Sequence, residues 1–187
     1  QNAGAKTAAK TLEEIAMKVK QARSPEAVVD YVYWEGVFKE MDQNSLKEMG
    51  VSSVSELREQ FRQIFRDPGA FAAQMMQQRV GSLPPNQQKA MEQAMVQMRK
   101  TLDQRTIEMR DTIGRTTFSI GKSAEKGTKA LVELISEIDG KKNIDNVQML
   151  KIKGQWFLTS PNIGQAGGGQ KSRVINDQGG GAAPNSF

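Results

Sequence analysis

The sequence predicts an α+β protein: N-terminal helices packed on a C-terminal curved antiparallel sheet of about four strands, followed by a Gly-rich tail. Three observations carry that prediction. Apolar residues recur at steps of three and four as far as Gly114, the step shortens to two beyond it, and turn dipeptides punctuate the second part. Helices that precede an antiparallel meander cover one face of it.

The first helix spans Thr7 to Ala22, where Leu12, Ile15, Ala16 and Val19 form one narrow apolar stripe. Ser24-Pro25-Glu26 then supplies a cap, a proline at the first helical position and an acid near the positive end of the helix dipole. A second helix is expected from there. It carries Val28, Val29, Val32, Tyr31, Tyr33, Trp34 and Phe38 towards Gly50, with a break near Asp42-Gln43-Asn44. Ser53 and Glu56 have the spacing of a reciprocal capping pair, and Leu57, Phe61, Ile64 and Phe65 follow on one face until Asp67-Pro68-Gly69 stops the helix. A short helix covers Ala70 to Val80, and Gly81-Ser82-Leu83-Pro84-Pro85 is a hinge. Met91, Met95, Met98, Leu102 and Met109 then lie along one seam of a long helix that ends near Gly114.

Past Gly114, Thr116, Phe118 and Ile120 alternate with polar residues, and Gly121 to Gly127 reads as a polar loop. The strand signal is densest from Thr128 to Pro161, TKALVELISEIDGKKNIDNVQMLKIKGQWFLTSP. Leu131, Leu134, Ile135 and Ile138 would also suit a helix. The hairpin dipeptide Asp139-Gly140, and the repeat of strand, turn and strand through Gly154-Gln155 to Trp156-Phe157-Leu158, decide for strands. The chain therefore divides into an N-terminal arm (1–23), an α+β domain (24–162, helices 24–114 and strands 115–161) and a flexible Gly-rich tail (163–187). The tail is too poor in apolar residues to offset its ordering entropy. Its anchors for something outside the domain are Val174, Ile175 and Phe187.

At 187 residues the chain suits one core with appendages. It holds no His and no Cys, which removes the commonest general base, thiol nucleophiles and soft thiolate ligands. No apolar run is long enough to cross a bilayer, although peripheral membrane association stays open. The opening QNAGAKTAAK is small and polar, as signal peptidase leaves it, so a periplasmic or extracellular location is expected. The net charge of +5 comes mainly from residues 71–160 and is spread across helix and strand positions. That distribution describes a mildly basic solvated face, and no nucleic-acid partner is expected.

The SPEAVVDYV segment (24–32), the helical middle and the meander closing on IKGQWFLTSP (152–161) together resemble the nuclear-transport-factor-like, or cystatin-like cone, superfamily, especially its small exported branch. Gly154-Gln155-Trp156-Phe157 matches the last hairpin of those proteins. The resemblance implies a curved sheet wrapped around helices, with a mouth that holds a small ligand or is closed by a partner. Val51 to Gly114 is longer than that fold needs, which leaves open an inserted helical arm or a different α+β topology. Enzymatic members use His, Asp or Tyr inside the cone, and this chain has no His to offer.

Candidate contact residues are Tyr31, Trp34, Phe38, Met91, Met95, Met98, Trp156, Val174, Ile175 and Phe187. For the aromatic residues a core role outweighs a ligand pocket. Met91, Met95 and Met98 have thioether spacing suited to a cuprous ion, but methionine is also the adaptable filler of helical seams and docking surfaces, and that role is favoured. The glycine runs 167–169 and 179–181 lack the flanking strand, helix and Lys of a phosphate loop. Asp139 to Asn143 lacks the calcium-loop pattern. No catalytic residue, metal or cofactor is expected. The sequence thus reads as a non-catalytic exported structural or accessory subunit that docks onto other proteins, in a larger assembly or homo-oligomer, through its helical face and tail. The alternative is a small-ligand carrier or sensor that uses the mouth of the cone.

Overall fold

The computed structural model describes residues 6–163 and the backbone of Ser172–Asn176. Six α-helices and one 3-10 helix come first: α1 (Ala8–Ala22), the 3-10 helix (Pro25–Tyr31), α2 (Trp34–Glu40), α3 (Gln43–Glu48), α4 (Val54–Arg66), α5 (Pro68–Val80) and α6 (Pro85–Arg115). The strands follow as β1 (Thr117–Lys126), β2 (Lys129–Ile138), β3 (Lys141–Ile152), β4 (Gln155–Leu158) and β5 (Ser172–Asn176). They form an antiparallel sheet in the order β1-β2-β3-β4, so the α+β arrangement is the one the change of period predicts. Two of its turns carry consecutive positive φ angles, Asp139 with Gly140 and Lys153 with Gly154. That is the backbone of a tight hairpin turn whose twist matches the strands.

Two expectations need correction. The helix drawn from Ser24 to the break near Asp42-Gln43-Asn44 is instead the 3-10 helix followed by α2, and α3 begins at Gln43, where that break is expected. Ser24 still caps, accepting from the Glu26 amide at 3.2 Å. Beyond Tyr31, however, Val32 forms a parallel bridge with Leu158, and the Tyr33 amide donates to the Leu158 carbonyl at 2.9 Å. The sheet edge supplies a partner that a helix would otherwise supply, and the β-branched run is well suited to leaving the helix there. The second correction concerns 121–126, which continues β1 after a register shift between Ile120 and Ser123 and does not form a loop. An edge strand can carry polar side chains on both faces, so its composition resembles a loop. Within the Gly-rich tail, the backbone of β5 pairs antiparallel with Lys141–Asp145 of β3.

Directly paired residues share a face, so Ala130 with Met149, Val132 with Val147, and Met149 with Leu158 define the core face of the sheet. Leu12 and Ile15 of α1, Val29 of the 3-10 helix and Leu57 of α4 are fully buried with them. Trp34 of α2 is buried as well, its indole donating to the Val29 carbonyl at 2.8 Å and its ring 5.2 Å from that of Phe61. Polar ties hold the helices in place. The Ala8 amide donates to the Glu125 carboxylate at 2.7 Å, joining the start of α1 to the end of β1. Arg62 meets Asp30 at 2.8 Å and Arg66 meets Glu26 at 2.6 Å, fixing α4 against the 3-10 helix. These exposed pairs are screened by solvent and set orientation more than stability.

Leu57→Ala should therefore cost about 2–5 kcal/mol, seen as a lower urea midpoint at unchanged slope. Leu102→Ala, on the half-buried side of α6, should cost under about 1 kcal/mol. The reverse ranking would put the core elsewhere.

Candidate functional site

The most distinctive surface is the hairpin formed by α5 and α6, and its sequence explains its shape. Asp67 accepts from the Ala70 amide at 2.9 Å while Pro68 occupies the first helical position, so α5 starts at the residues that end α4. At its far end the Leu83 amide donates to the Val80 carbonyl at 3.0 Å and Ser82 Oγ donates to the Arg79 carbonyl at 2.8 Å, turning the chain within a few residues. Pro84 and Pro85 then launch α6. With 31 residues α6 is about 46 Å long, whereas α5 has 13 residues and lies along only the first part of it.

Close approach of the two helices depends on Gly69. A methyl group built there would sit 2.6 Å from the Asp103 carboxylate and 3.0 Å from Arg99 Nε. Arg99 in turn reaches Asp103 at 3.0 Å and Asp67 at 3.5 Å, a charged clasp at the base of the hairpin. Farther along, Gly114 lies against the Arg23 side chain at the end of α1.

The seam read from the sequence is present. Met91, Met95, Met98, Leu102 and Met109 are half-buried along one side of α6. Yet α6 has no buried residue at all, because a pair of helices without a third screens only part of each apolar stripe. Between Pro68 and Met98 the charged residues are Arg79, Lys89 and Glu92, and the remaining polar positions are mostly Gln. Val96 and Ile107 of α6, 57% and 61% exposed, are two of the four large apolar side chains that stand out in solvent among the described residues. A surface of this kind, long, rich in thioethers and low in charge as far as Met98, is suited to contact with another protein.

The aromatic candidates lie elsewhere. Trp34 is a core residue, Phe38 is half-buried against the core, and Trp156 of β4 is buried with the Lys151 ammonium 5.6 Å from its ring. Tyr31 is half-buried, accepts a hydrogen bond from Lys18 and lines an open depression of about 430 Å³ where α1 meets the β3–β4 turn. Lys6, Glu14, Lys18 and Asp30 share that rim, and Trp156 and Phe157 line the depression with Tyr31. Lys6 donates to Glu14 at 2.9 Å and holds its carboxyl below the usual range, while the Tyr31 hydroxyl raises the Lys18 ammonium above its own. The structure thus separates Tyr31 and Trp156 from the methionine seam. Val174 and Ile175 lie in β5, opposite Asn143 and Lys142 of β3. Phe187 lies outside the described residues.

Sequence reasoning missed two features. Asp145 faces the core, 3% exposed, with the Asn143 side-chain amide donating to it at 3.1 Å. Burial raises its carboxyl above the ordinary range, and the Asn143 bond opposes that only in part. Counting back in twos from Met149 and Val147 would have placed it there. The other is the exposed stripe through Val96 and Ile107, which runs beside the methionine seam and is hidden in the sequence by its polar neighbours.

Comparison with protein families, with curated proteins and with solved structures finds no match to this chain. The resemblance to the cone superfamily therefore rests on the segments quoted from its sequence.

Asp145 gives a prediction whose sign follows from linkage. Its folded carboxyl holds a proton more tightly than its unfolded one, so its contribution to stability is present below the unfolded pKa and is lost as pH rises through the folded value. Asp145→Asn should raise the melting temperature at pH 7 and raise it less at pH 3. An equal change at both values would show that the acid is not strained by burial.

Proposed function

We propose that this chain is a non-catalytic docking subunit that attaches to protein partners through the α5–α6 arm, with the Gly-rich tail as a second contact. One observation carries the reading: a helix of 31 residues bears a Met and Leu seam that is only half-buried along its length, with no residue fully enclosed. Most helical stability in proteins comes from packing an apolar face, so a seam this long has a use only when something more than α5 covers it. The absence of His and Cys from the sequence supports a role in contact over chemistry.

The carrier reading would use the depression beside Tyr31. Tyr31, Trp156 and Phe157 give it aromatic walls, but its rim carries Lys6, Glu14, Lys18 and Asp30 and it opens to solvent, whereas small-molecule carriers enclose most of their ligand. The geometry therefore favours docking.

Native electrophoresis of the tagged chain in extracts of its source tests the proposal. The wild type should migrate as a larger species. Val96→Asp, an exposed change expected to stay within about 0.5 kcal/mol of wild-type stability, should release it. A larger species that survives Val96→Asp and Ile107→Asp together would rule out the arm as the docking element.

A further inference from the structure

We infer that the partner which covers the outer side of α6 is a second copy of this chain, packed antiparallel across a two-fold axis between Thr101 and Leu102. The inference rests on the docking reading and names its occupant. Gln93, Val96, Lys100, Asp103, Ile107 and Arg110 follow one another at steps of three and four, the heptad spacing that keeps a stripe facing a neighbouring helix. All six are exposed.

The order of these residues is what identifies the partner. When the stripe is laid against its own reverse, Val96 meets Ile107 of the other copy and Lys100 meets Asp103. Each contact occurs twice, as a two-fold interface requires. The two exposed apolar side chains of α6 thereby cover one another, and an acid faces a base beside them. Gln93 faces Arg110 at either end, a polar closure that opposes no like charges. Parallel pairing in the same register would instead set Lys100 against Lys100 and Asp103 against Asp103.

The clasp at the base of the hairpin is compatible with this. Asp103 accepts from Arg99 of its own chain at 3.0 Å, and its side chain remains half exposed. Lys100 has no ion pair among the described residues. The contact extends over about 26 Å of helix, and one helix pair of that length falls short of the roughly 1,200 Å² of a stable interface. The dimer is accordingly a weak one that responds to concentration and to salt.

Sedimentation equilibrium of the purified full chain up to about 100 μM, a range chosen for a contact below the standard interface size, tests it. The wild type should show a monomer–dimer equilibrium. Lys100→Asp alone and Asp103→Lys alone should each weaken it by about tenfold or more, because each places like charges across the axis. An equimolar mixture of the two variants should dimerise again, since both cross-axis pairs are then opposite in sign, and circular dichroism should show both variants folded. A wild type that stays monomeric, or a mixture no better than its components, would overturn the inference. A monomeric purified chain that still forms a Val96-dependent larger species in source extract would leave the docking reading standing with a different partner.

Discussion

The core face of the sheet, where Val132 lies opposite Val147 and Met149 opposite Leu158, must be screened from water, and the helices available for that task are short. α1 and the 3-10 helix accomplish it directly, α4 packs behind them on the 3-10 helix and α2, and Leu12, Ile15, Val29 and Leu57 are fully buried in the one cluster that results. The remaining features follow from this arrangement. The chain leaves its helix at Val32 because the Leu158 backbone takes over its hydrogen bonding, and that bridge brings Trp34 down onto Phe61.

Once that face is covered, α5 and α6 have no share in it. They pack on one another through Gly69 and the Asp67, Arg99 and Asp103 clasp, and α6 retains a stripe that two helices cannot enclose. Few buried contacts imply low local stability. An arm of that kind is poorly suited to holding reacting groups in fixed geometry and well suited to being ordered by a partner.

Much of this was legible in the sequence because the relevant signals are local. Thr7 and Ser53 mark helix starts by capping hydrogen bonds within a few residues, Pro68 and Pro85 by a fixed backbone angle at the first helical position, and Asp139-Gly140 marks a hairpin by its backbone angles. The methionine seam could be read from spacing alone. What escaped depends on distant neighbours: the break at Val32 needs Leu158, more than a hundred residues away, and β5 needs the free edge of β3. The polar end of β1 looks like a loop until β2 is beside it. Among the candidate contacts, Trp34 lies in the core and Trp156 is buried beside the depression at Tyr31, because aromatic residues signal burial without saying what buries them.

The central claim is that the core is complete without the arm, and native-state hydrogen exchange measures that most directly. Amides of β2 and β3 should exchange only through global unfolding at every protein concentration. Those of residues 88–110 should exchange through cheaper local opening in dilute solution and become slower as concentration, or a docking partner, rises. Protection of 88–110 equal to that of the sheet in dilute monomer would contradict the account, because α6 would then already belong to the core.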